Sequence, residues 1–219
     1  MEKKESLNKE NIISLPRKAG ITGRLFGIIK LILGICLLPF VYSATVALLS
    51  EFSILETKIN HYFFSGIIGF LIIYLFIYEP AIIYSKGHKI LEIVFRFFTP
   101  LVKVAPYLLP IHTIILFALC GLFLLISKAG DSVKYFVFLF GFSIALHLVF
   151  SAKALRRRES DFLKANYIFG FSFIYIVNMA ILAFGLSILF DKFSFVNFCN
   201  NSFLIAKSIF DTIFKQLFL

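Results

Sequence analysis

With 219 residues, 60% of them hydrophobic and only 16% charged, the chain carries more apolar surface than one soluble core can hide, which excludes an ordinary soluble domain. Its net charge of +10 sits beside long apolar runs rather than on a soluble basic face, so lipid headgroups, and no nucleic acid, are the expected partners. Of three cysteines, Cys36 and Cys120 fall inside apolar runs and Cys199 has no evident mate, so a disulfide framework is not expected.

Residues 1–24 open the chain with charges and no apolar periodicity, and they read as a disordered basic tail. The run that starts at Leu25 outlasts a signal-peptide core and lacks a small-x-small cleavage site, so it reads as a retained anchor. Five spans are predicted, at about 25–50, 63–84, 107–127, 135–152 and 167–190, giving an all-α transmembrane bundle over 25–190. Lys30 can snorkel to the headgroups, and Pro39 is expected to kink the first span.

Lys and Arg number six in the N-terminal tail, four in loop 85–106 and five in loop 153–166, against six on the opposite side. The positive-inside rule then predicts a multi-pass protein of the inner cell membrane, with a cytoplasmic N-terminus and an extracytoplasmic C-terminus. Between the second and third spans, residues 88–98 place Glu92 and Arg96 four apart and read as a short cytoplasmic or re-entrant helix. Residues 191–219 form the last unit. Phe203, Ala206, Phe210, Ile213 and Leu217 recur there at helical spacing opposite Lys207, Asp211 and Lys215, which predicts an amphipathic helix on the outer membrane surface. Asn200, Asn201 and Ser202 are its N-cap candidates.

Ionisable side chains are costly in hydrocarbon and so mark candidate sites. Glu79, His88, Glu92, His112, His147 and Asp161 all fall near the same ends of spans two, three and four. His88 and Glu92 share a helical face, a spacing that can hold a divalent metal, but a solvated His beside a Glu paired with Arg96 is the preferred reading. His112 and His147 suit hydrogen bonds to neighbouring helices better than metal, and Asn178, in mid-span, suits an interhelical hydrogen bond.

The run Tyr84-Ser85-Lys86-Gly87-His88-Lys89-Ile90-Leu91-Glu92, followed by Ala105-Pro106-Tyr107-Leu108-Leu109-Pro110-Ile111-His112-Thr113 and then by Gly141 to His147, resembles the site-2-protease-like membrane zinc metallopeptidases. It is the bacterial branch, with a G-H-E-x-x-H helix and an A-P-Y-x-x-P-x-x-T element, that the chain is similar to over about 63–190. The resemblance implies a zinc centre in which two His hold the metal and a Glu takes a proton from its water. This sequence keeps His88 but has Lys89 in place of the base and Glu92 in place of the second His. A charged lysine cannot serve as that base. Only twelve residues, Ile93 to Val104, separate the two motifs.

Three functions compete. We favour a non-catalytic relative that binds a membrane partner or client helix. A small transporter or channel subunit using Glu79, His112, His147 and Asn178 comes next, and an active enzyme holding zinc through His88 and Glu92 with His147 or Asp161 comes last.

Overall fold

The computed structural model describes residues 21–77, 81–94, 105, 107–127, 132–157 and 164–218. Seven α-helices make up nearly all of these residues: α1 (Ile21–Ile54), α2 (Thr57–Ile72, extended by a π-helical turn Ile73–Ile77), α3 (Ala81–Val94), α4 (Ile111–Ser127), α5 (Val133–Arg157), α6 (Lys164–Leu189) and α7 (Phe195–Phe218). The all-α expectation holds, with no strand among the described residues.

Among the described residues four apolar stretches are long enough to cross a bilayer: Leu25–Ile54, Thr57–Phe76, Val133–Arg156 and Tyr167–Leu189. They match four of the five expected spans, though the second starts six residues before the expected 63 and ends short of 84. The third differs in kind. α4 has 17 residues, and at 1.5 Å per residue it rises about 25 Å, less than the roughly 30 Å of a hydrocarbon core. Residues 107–110 precede it as a separate turn rather than as part of the helix.

The outside of the bundle is apolar. Phe76, Leu125 and Ile126 are each at least 80% exposed, which only lipid tolerates for so many large side chains. This is the surface of an integral membrane protein.

Two close helix pairs organise the bundle. α2 lies along α5 in the same direction, Tyr62 meeting Tyr135 towards one end and Tyr74 meeting Phe150 towards the other; where they cross, a Cβ on Gly66 would meet the carbonyl of Phe138, and one on Gly141 would meet the carbonyl of Phe63. Two glycines, one per helix, thus let the backbones touch. α1 pairs with α6, also in the same direction, with Gly34 against Phe169 and Thr45 Oγ1 2.8 Å from Tyr175 Oη. α4 runs antiparallel to α5, Phe117 meeting Phe140 and Phe123 meeting Phe136. Because α2 and α5 point the same way, the chain between them must return across the bundle, and α4 with its leading turn makes that return. Pro39 lies inside an unbroken α1, whose 34 residues run to Ile54, past the expected end at 50.

The C-terminal helix departs most from expectation. It spans 24 residues, begins at Phe195 and contains Asn200, Asn201 and Ser202 in its interior rather than at its cap. Ser194 caps it instead, its hydroxyl accepting the Asn197 N–H at 3.2 Å. The run Phe195, Val196, Phe198 carries the helical pattern back to that serine. α7 does not lie apart from the bundle either. It runs antiparallel along α1, from Ser194 beside Glu51 to Phe210 beside Phe40.

Candidate functional site

A proline shapes the site. Pro110 has no N–H and cannot sit inside a helix, so the turn that starts at Ala105, where Leu109 N–H donates to the Ala105 carbonyl at 2.8 Å, stops before α4 begins. Ile111 N–H turns to the Leu109 carbonyl at 2.9 Å, and α4 starts afresh with Ile114 N–H on the Pro110 carbonyl at 3.0 Å. A continuous helix would have covered the carbonyls of Tyr107 and Leu108; here they need other donors. In a bilayer no water is available to supply them.

Three side chains from the neighbouring helices take that role. His147 Nε2 donates to the Tyr107 carbonyl at 3.1 Å, and Ser151 Oγ donates to the same oxygen at 3.3 Å. Asn178 Nδ2 donates to the Leu108 carbonyl at 3.0 Å and to Ile174 of its own helix at 2.7 Å. His147, Ser151 and Asn178 are all buried, each 1% exposed or less. Asn178 stands eleven residues from either end of the apolar stretch Tyr167–Leu189, so the interrupted backbone lies level with mid-span. One further polar contact fixes α4 on α5: Thr113 Oγ1 and Ser143 Oγ, both buried, are 2.8 Å apart.

α3 closes this region. A Cβ on Gly87 would meet the imidazole of His112, so the glycine lets α3 seat against the start of α4. His88 Nε2 faces Glu92 Oε1 at 3.3 Å, one helical turn away, and its ring stands edge-on to Tyr107 with centroids 5.2 Å apart. Tyr84 lies between the two imidazoles, 6.2 Å from His88 and 6.0 Å from His147 by ring centroid. Lys89 is exposed on α3 and turned away from the buried cluster. Ala105 is 3% exposed. Glu79, Pro106 and Asp161, together with Arg96, lie outside the described residues.

The resemblance implies zinc, and these positions test it. A structural or catalytic zinc takes three or four protein donors. Only His88 and Glu92 face each other, and no group of three His, Cys, Asp or Glu able to hold a metal occurs among the described residues. His147, assigned by sequence to the metal set, has its Nε2 proton committed to the Tyr107 carbonyl. As described, the residues do not fit a zinc centre.

Sequence reasoning missed Glu51. It is 1% exposed, and its Oε2 accepts the Ser194 N–H at 3.0 Å. It was hidden by ending the first span at 50, four residues before α1 stops at Ile54. A carboxylate near a helix N-terminus also suits the dipole there. Ser151 and Ser143 were missed as well. Ser151 could have been found by its position, one turn after His147 on the same helical face.

Comparisons with family models, with curated proteins and with solved structures found no match to this chain.

Proposed function

We propose that this protein is a non-catalytic membrane protein, built on a scaffold resembling the site-2-protease-like metallopeptidases, that works by binding a membrane partner or client helix. The observation that carries this reading is the use of His147, Ser151 and Asn178 as donors to the carbonyls of an interrupted backbone. Polar groups at the place where a protease-like chain would hold its metal serve here to keep a turn folded within the bundle. The exposed Lys89 in the position of the general base agrees with this.

A cleft supports the binding half of the proposal. It occupies about 280 Å³ between α1, α2, α5 and α6. Leu48, Phe64, Leu71, Leu148 and Met179 line it, together with the hydrogen-bonded Thr45 and Tyr175. Its volume suits a few bulky side chains of a passing helix, and Met179 gives an adaptable wall. The test is a pair of measurements on purified protein in liposomes: a transmembrane peptide should bind and remain intact. Metal-dependent cleavage of that peptide would overturn the reading.

A transporter is the second reading, and the backbone interruption at mid-span favours it, because many carriers bind their cargo beside such breaks. Solute flux above that of empty vesicles, abolished by Asn178→Leu, would establish it.

A further inference from the structure

Lys207, Asp211 and Lys215 are spaced four apart, so they form one stripe along α7, and all three are exposed. Asn197, Asn200 and Ser208 extend the same side of the helix. The opposite side packs on α1, with Phe198 and Ala206 buried. Among the described residues none of the three charged side chains has an ion-pair partner; the one close pair there is His88 with Glu92.

The depth of this stripe makes it unusual. α7 is held to α1 by the Ser194–Glu51 hydrogen bond at one end and by Phe210 against Phe40, with ring centroids 5.7 Å apart, further along. Phe40 stands fifteen residues from Leu25 and fourteen from Ile54, the ends of the apolar stretch of α1. Asp211, next to Phe210, is therefore level with the middle of that stretch. Charged side chains at such a depth do not face lipid; they turn to a partner or to water.

We propose that the stripe is an interface between two copies of the chain, α7 against α7, in which Lys207 of each copy pairs with Asp211 of the other. The alternation of sign is what selects a second copy. With two parallel α7 helices related by a two-fold axis along the membrane normal, a lysine stem reaching up one turn, about 5.4 Å, meets the opposing carboxylate. Both pairs form at once, because the patch is complementary to itself. The asparagines add to this, since an amide carries both a donor and an acceptor and so pairs with its own kind.

The experiment is the mass of purified full-length protein in mild detergent over a range of concentrations. The wild type should be a dimer. Asp211→Lys should shift it to monomer, and the exchange variant K207D/D211K should return it to dimer, with helix content by circular dichroism unchanged throughout. An independent readout keeps the native charges. In a background with Cys36, Cys120 and Cys199 replaced by Ser, Ser208→Cys should cross-link two chains, whereas a cysteine retained only at 199 should not. A wild type monomeric at every concentration would overturn the proposal, as would a dimer indifferent to Asp211→Lys and lacking the Ser208→Cys cross-link.

Discussion

His147 Nε2 lies 3.1 Å from the carbonyl oxygen of Tyr107, forty residues away in sequence, and this bond ties the interrupted turn ahead of α4 to the middle helix of the bundle. The bond fixes the tautomer, since a carbonyl only accepts: Nε2 carries the proton. Replacing the ring by Phe leaves that carbonyl with Ser151 alone and should lower stability in detergent by about 1 to 2 kcal/mol. His147→Gln, which keeps an N–H donor, should recover part of the loss. Thermal unfolding of the two variants side by side checks this.

Gly66 and Gly141 let α2 and α5 touch through their backbones. Alanine at either position should force the helices apart and cost about 1 to 3 kcal/mol. Gly27 and Gly121 have nothing within 4 Å of a Cβ. There alanine should be neutral or stabilise by up to about 1 kcal/mol, because glycine is a poor helix former. If all four variants unfold at the same temperature, the backbone contact between α2 and α5 is wrong.

Glu51 holds the start of α7. Glu51→Leu removes the acceptor for the Ser194 N–H and should loosen the C-terminal helix, seen as faster proteolysis after residue 190 in otherwise folded protein. Glu51→Gln keeps a carbonyl acceptor and should stay near wild type. Equal protection of all three proteins would argue against the clamp.

Thr113 and Ser143 share a buried hydrogen bond between α4 and α5. Thr113→Val strands the Ser143 hydroxyl only partly, since it also donates to the Phe140 carbonyl at 3.1 Å. The loss should therefore be about 0.5 to 1 kcal/mol, smaller than that for His147→Phe. Unfolding midpoints of the two variants, measured in one detergent, check the order.

The membrane-crossing helices were legible because lipid imposes long apolar runs, and each run in the sequence became a helix of the bundle. The ends were less legible. Glu51 belongs to α1 because a tertiary hydrogen bond covers its carboxylate, which hydropathy cannot register. The break before α4 could be read from Pro110, yet the donors that make it tolerable come from α5 and α6, and no local pattern names them. His147 was expected to hydrogen-bond a neighbouring helix, with metal as its other role, and an imidazole in a span suits either until its neighbour is known. The amphipathic pattern of α7 was plain, but its packing along α1 rests on tertiary contacts such as Phe210 against Phe40, which the pattern does not name.

Zinc stoichiometry bears most directly on the claim that His147 and its neighbours hold backbone rather than metal. Protein purified without chelators, then equilibrated with zinc and desalted, should retain well under one equivalent, and His88→Ala and His147→Ala should leave that amount unchanged. One zinc per chain, lost in either variant, would contradict the account.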